Sequence, residues 1–139
     1  MKKRQPDPGS GRDPSDRPLL DKLGVRPGMR VGVFDVEDPE FTAALAERGA
    51  NIETAPAVEL DLAFLMVHEP VDLHRLAELR PLIRSSGAIW VLRVKGPAAA
   101  VRDIDVIEAG RHHRLVDNKI ASFSDTLAAM RLVIPVGLR

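Results

Sequence analysis

Apolar side chains follow two alternating rhythms along this chain, short continuous runs and stripes spaced by three or four. The run Met29-Arg30-Val31-Gly32-Val33-Phe34 reads as a first strand. Phe41, Ala44 and Leu45 then recur at helical spacing and predict a helix over 39–48. Asp38 supplies its N-cap, Pro39 its first position and Gly49 its stop. Asn51-Ile52-Glu53-Thr54 is a short second strand. The near-continuous apolar stretch over 60–67 has the composition of a parallel strand buried on both faces. Leu73, Leu76, Leu79 and Ile83 form one stripe and predict a helix over 71–85, kinked or cut short at Pro81. A further buried strand spans 88–94, a helix 98–112, and two strands, 115–123 and 129–135, close the chain through Ser124-Asp125-Thr126. Before all of these, 19–23 is a helical turn closed by Gly24, and Arg26-Pro27-Gly28 is a turn.

Strand–helix alternation ending in a strand pair defines an α/β class. The expected architecture is a Rossmann-like, three-layer, mostly parallel sheet with helices on both faces and an antiparallel C-terminal strand pair, one antiparallel strand lying at the edge. The first and third strands are expected side by side and parallel, with Phe34, Phe64, Leu65 and Val67 in the buried layers.

Composition narrows the function classes. The length of 139 residues suits one domain over 19–139. Residues 1–18 carry prolines, glycines and charges but no large apolar side chain after Met1, and read as a disordered tail dispensable for folding. Twenty basic and twenty acidic residues leave no net charge, which argues against nucleic acid as a partner. The absence of cysteine excludes disulfides, thiolate metal sites and a cysteine nucleophile. No apolar run is long enough for a membrane span, and Gln5-Pro6-Asp7-Pro8 stands where a signal peptide needs its apolar stretch, so a cytoplasmic protein is expected.

Leu23-Gly24-Val25-Arg26-Pro27-Gly28-Met29-Arg30-Val31 resembles the lead into the first strand of S-adenosylmethionine-dependent methyltransferases, and the closing strand–turn–strand matches the end of that fold. Leu115-Val116-Asp117-Asn118-Lys119-Ile120, with Ser124-Asp125-Thr126-Leu127 and Met130-Arg131-Leu132-Val133, resembles a bacterial family catalogued as domain of unknown function 3052. That resemblance covers residues 19–135, with Asp117, Lys119 and Asp125 as its signature. Leu127-Ala128 stands where the family usually has tryptophan-serine. It implies a trimmed methyltransferase-like sheet and no assigned activity.

In such a sheet a ligand sits beyond the carboxyl ends of the strands, where their order reverses. The ligand-binding candidates there are Asp35, Glu37, Asp38 and Glu69, with Lys95 after the fourth strand and Glu53 at the position of a ribose-binding acid. The first loop, Phe34-Asp35-Val36-Glu37-Asp38-Pro39, holds no glycine to bring backbone amides close to a donor, and Pro39 has no amide to give. Its carboxylates disfavour anions: a phosphate about 5 Å from one of them costs about 3 kcal/mol at an effective dielectric of 20. S-adenosylmethionine is therefore expected to bind weakly or not at all, with a dissociation constant above about 1 mM.

His68 is the one histidine expected at a strand's carboxyl end and is the candidate general base. His74 is expected to face solvent, and His112 and His113 to complement a helix end as cations. Asp117 and Lys119, two apart on one strand, are expected to share a face and to form an ion pair or a loop cap. No phosphate loop or nucleophile elbow is present, and Asp72 stands where a zinc-protease motif begun by His68-Glu69 needs its second histidine. These residues predict a non-catalytic protein with no cofactor and no metal, acting through an unknown protein partner or as a homodimer. The alternative is a small-molecule- or metal-binding enzyme using the acidic rim with His68.

Overall fold

The computed structural model describes residues 17–53 and 58–139. Most of the expected tail lies outside the described residues, although Arg17 and Pro18 open the first helix. The elements are α1 (Arg17–Leu23), β1 (Arg30–Phe34), α2 (Pro39–Arg48), β2 (Asn51–Glu53), β3 (Leu60–Met66), α3 (Leu76–Leu79), β4 (Ile83–Val94), α4 (Asp103–His112), β5 (Val116–Ser122) and β6 (Leu127–Val133). Among these residues no helix is long and apolar enough to cross a membrane.

The six strands lie in the order β2-β1-β3-β4-β6-β5. β1 pairs in parallel with β2 and β3, and β3 with β4, while β6 runs antiparallel to both its neighbours. The antiparallel strand is thus internal, not at the edge as expected. Burial explains the order: β6 carries Ala129, Met130, Leu132 and Val133 into the core, whereas β5 exposes Asn118, Lys119 and Ile120 and takes the edge.

Alternation of side chains sorts the core into two layers. Leu62, Phe64, Met66, Ala88, Trp90 and Leu92 pack under α1 and α2, against Leu20, Leu23, Phe41 and Leu45. Ala63, Leu65, Val67, Ile89 and Val91 face the other way, against Leu73, Leu76 and Leu79 and Val106 of α4. The buried Trp90 indole donates to the Leu23 carbonyl at 3.1 Å, which ties α1 to the sheet. Phe34 is only half-buried, because it ends β1 at the rim.

The helix over 39–48 forms as expected. Asp38 accepts from the Phe41 amide at 3.0 Å, and Gly49 turns left-handed at φ 94° so that the Ala50 amide reaches Leu45 O at 3.1 Å. The helix over 71–85 does not. A 3₁₀ segment, Pro70–Arg75, leads into the single turn of α3, and Pro81 ends the run in a second 3₁₀ turn, Arg80–Leu82. Ser85 and Ser86 consequently belong to β4, whose register against β3 jumps from Leu60↔Ile83 to Leu62↔Ala88. Gly87 permits that jump, since a Cβ there would stand 2.8 Å from Leu60 O. The later helix starts at Asp103 rather than near residue 98, because Arg93 captures the Val101 carbonyl at 3.1 Å and pairs with Asp103.

Candidate functional site

The strand order reverses between β1 and β3, and a crevice of about 490 Å³ opens beyond their carboxyl ends. The loop after β1 contributes Asp35, Val36, Glu37 and Asp38 to its wall. β3 and the residues after it contribute Met66 and His68, and the β5–β6 corner adds Phe123 and Leu127. An aromatic stack supports this floor from below: Phe41 meets Phe123 edge-on at 4.9 Å and Phe64 at 5.1 Å.

The loop after β1 turns without a glycine. Asp35 itself takes the left-handed conformation, φ 61°, which aspartate tolerates better than most residues. Its carboxylate is gripped by Arg75, which also donates to Glu78 at 2.7 Å and lies over the Phe34 ring. Bonding to Glu78, with the nearby Asp35 charge, holds the Arg75 guanidinium above its ordinary pKa. Arg75 is in turn placed by Asp72, whose carboxylate accepts the amides of His68 at 2.8 Å and Glu69 at 3.0 Å. Those two bonds hold the Asp72 carboxyl below its ordinary pKa.

The candidates from sequence divide accordingly. Asp35, Glu37, Asp38 and His68 line the crevice together. Glu69 is exposed at the head of the 3₁₀ segment and is no part of the wall. Glu53 accepts from Arg30 at 3.1 Å and does not line the crevice either. Lys95 is engaged by Ser122 Oγ at 2.7 Å and Ser124 O at 2.6 Å. The cation site of the alternative reading does not form on the acidic rim: among the described residues no three histidine or carboxylate groups converge on a point, since Asp35 is paired and Asp38 caps α2. The expected penalty against anions also weakens, because Arg75 offsets Asp35.

Asp117 and Lys119 do not share a face. Asp117 pairs with Leu132 and Lys119 with Arg131, so a bulge at Asn118 reverses the alternation. Lys119 does cap a neighbouring element, donating to the Lys22 carbonyl at 2.7 Å, and Asp125 is exposed in the corner before β6. His74 is exposed as expected. His113 differs from expectation: burial, then the neighbouring His112 and His74, lower its pKa, so it favours the neutral form.

Sequence reasoning missed Arg75, Met66, Phe123 and Leu127. Asp72 was legible as a cap, three residues after Glu69 with Pro70 between. Arg75 had no local signal, since its partner lies forty positions away.

No protein-family model and no curated protein matches the sequence. Solved structures do match. An S-adenosylmethionine-dependent methyltransferase from Aquifex aeolicus superposes with a TM-score of 0.64 at 12% identity, over 88% of this chain and 94% of that one. An S-adenosylmethionine-dependent O-methyltransferase from Thermotoga maritima gives 0.65 at 10% identity, over 97% and 69%. The magnesium protoporphyrin IX methyltransferase of Synechocystis, solved with S-adenosylhomocysteine bound, gives 0.62 at 9% identity, over 85% and 80%. The chain has the methyltransferase fold. At these identities the likeness is one of architecture, and the methyltransferase fold accounts for the sheet order, the internal antiparallel strand and the crevice. The expectation of a non-catalytic shell without a donor site is thereby corrected. The matching structures are methyltransferases, and the crevice at the switch point is open and part-apolar rather than filled.

Proposed function

We propose that this protein binds S-adenosylmethionine in the crevice between β1 and β3 and transfers its methyl group to a small acceptor. The observation that carries the reading is the crevice itself, about 490 Å³ at the switch point of a methyltransferase fold, within the usual range for small-molecule sites. The residues present fit the donor. Val36, Met66, Phe123 and Leu127 offer apolar surface for an adenine, and the exposed Glu37 offers negative charge to a sulfonium and an ammonium. Arg75, outside the wall, pairs with Asp35 and so lessens the repulsion of the ligand's carboxylate there. When bound, the donor supplies an electrophilic methyl group.

His68 stands exposed in the crevice wall, where an imidazole can take the proton that an acceptor hydroxyl or amine loses. Membership of the family catalogued as domain of unknown function 3052 belongs to the same proposal. Leu115-Val116-Asp117 followed by Lys119 supports it.

A thermal melt with added ligand tests the reading. A ligand at a hundred times its dissociation constant adds about 2.7 kcal/mol to stability. S-adenosylmethionine and S-adenosylhomocysteine are expected to raise Tm by several degrees, and adenosine triphosphate, with its phosphates against Glu37, to do so less. Equal, negligible shifts for all three overturn the proposal.

A further inference from the structure

A second concavity, of about 260 Å³, lies where the end of α1 meets the middle of β5 and β6, apart from the crevice and sharing no residue with it. Its wall brings together three cations, Lys22, Lys119 and Arg131. Asp21 is the single acid in that wall, and it is engaged by Arg48 at 3.1 Å.

Each cation is held in place while keeping donors to spare. The Lys119 ammonium donates to the Lys22 carbonyl at 2.7 Å, and the Lys22 ammonium returns a bond to the Ser122 carbonyl at 3.2 Å. Each then has two of its three N–H groups left. Arg131 is half-buried, and its one hydrogen-bond partner among the described residues is the neutral amide oxygen of Asn118, at 3.3 Å. Burial, together with the charge of Arg139, disfavours its charged form, with no carboxylate to compensate. A partly desolvated guanidinium without a counter-charge, flanked by two tethered ammonium groups, is a site that wants an anion brought from outside.

We propose that this concavity binds a phosphate group, either as free phosphate or as the monoester of a small metabolite. Its volume admits one such group with a small body attached. Three cations around a small, open hollow do not form the long basic track that a nucleic-acid strand requires, and the chain as a whole carries no net positive charge. The proposal is independent of methyl transfer, since the two sites have separate walls.

The test is a titration of the full chain with inorganic phosphate and, separately, glycerol phosphate, at constant ionic strength. The ligand is followed by phosphorus NMR. Trp90, the one tryptophan and a wall residue, is followed by fluorescence. Saturable phosphorus shifts are expected, with affinity falling about tenfold or more in Arg131→Gln. Lys22→Gln, on the exposed end of α1, removes only an exposed bond to the Ser122 carbonyl at the end of β5 and is expected to weaken binding while the chain stays folded, which keeps the test sound should Arg131→Gln fold poorly. Tighter binding of the monoester identifies a phosphorylated metabolite, and equal binding identifies the phosphate group alone. Absence of saturation, or affinity unchanged in both variants, overturns the proposal.

Discussion

Arg75 reaches back forty residues to grip the carboxylate of Asp35, and its guanidinium carbon lies 5.7 Å from the centre of the Phe34 ring. One side chain therefore joins the two segments that leave the sheet on either side of the switch point. The loop after β1 keeps its left-handed turn, and the 3₁₀ segment after β3 is held to the same rim.

The turn at Asp35 makes the first prediction. Left-handed backbone costs an ordinary residue about 1–2 kcal/mol, and a β-branched one is a true outlier there. Asp35→Val is expected to lower unfolding stability by at least that amount. Asp35→Gly removes the strain along with an exposed ion pair worth about 0–1 kcal/mol, and is expected to be near neutral. Urea denaturation of both variants checks the contrast. Equal losses would show that the ion pair, not the backbone, matters.

Phe41 couples the core to the crevice. Its side chain is wholly buried and stacks on both Phe64 and Phe123. Phe41→Ala is expected to cost about 3–5 kcal/mol, typical of a buried aromatic truncated to alanine. It is also expected to weaken ligand binding, because Phe123 loses the ring beneath it. A variant that melts early yet binds normally would separate the two roles.

How far the sequence reached follows from the range of each interaction. Asp38, Pro39 and Gly49 specify α2 within a dozen residues, and α2 forms over the predicted span. The β3 run from Leu60 announces a doubly buried parallel strand, and β3 is one. By contrast, the stripe from Leu73 to Ile83 imitates a helix because the first 3₁₀ segment, α3 and the start of β4 bury Leu73, Leu76, Leu79 and Ile83 in turn, and Pro81 alone betrays the break. The site was half legible. Carboxylates clustered in one loop are visible in order, but the Arg75 that neutralises one of them, and the Phe123 and Leu127 that floor the crevice, arrive only through the sheet topology.

Asp72 organises the turn that carries Arg75. Its carboxylate holds two amides and stays ionised below the ordinary value of 3.8, so the contact persists above that pH and is lost as pH falls through the lowered pKa. Asp72→Ala is expected to speed hydrogen exchange at the His68 and Glu69 amides while leaving β4 amides protected. Unchanged exchange at those two positions would remove Asp72 from its placing role.

His113 adds a pH dependence of opposite origin. Its folded pKa lies below the ordinary 6.5, so the unfolded chain binds the extra proton first as pH falls. The contribution to stability is whole above about pH 6.5 and declines as pH drops through the folded value. His113→Asn is expected to flatten stability between pH 7 and pH 5, as read by urea midpoints. An identical slope in the variant would assign that dependence elsewhere.

The central claim is that the crevice between β1 and β3 holds the methyl donor. Calorimetric titration of the full chain with S-adenosylhomocysteine measures it directly, with Leu127→Trp as the variant that fills the floor. Saturable binding tighter than about 100 μM, weakened at least tenfold by Leu127→Trp, is the expected result. Absence of saturable heat up to about 1 mM in the native chain, or binding that Leu127→Trp leaves unchanged, would contradict it.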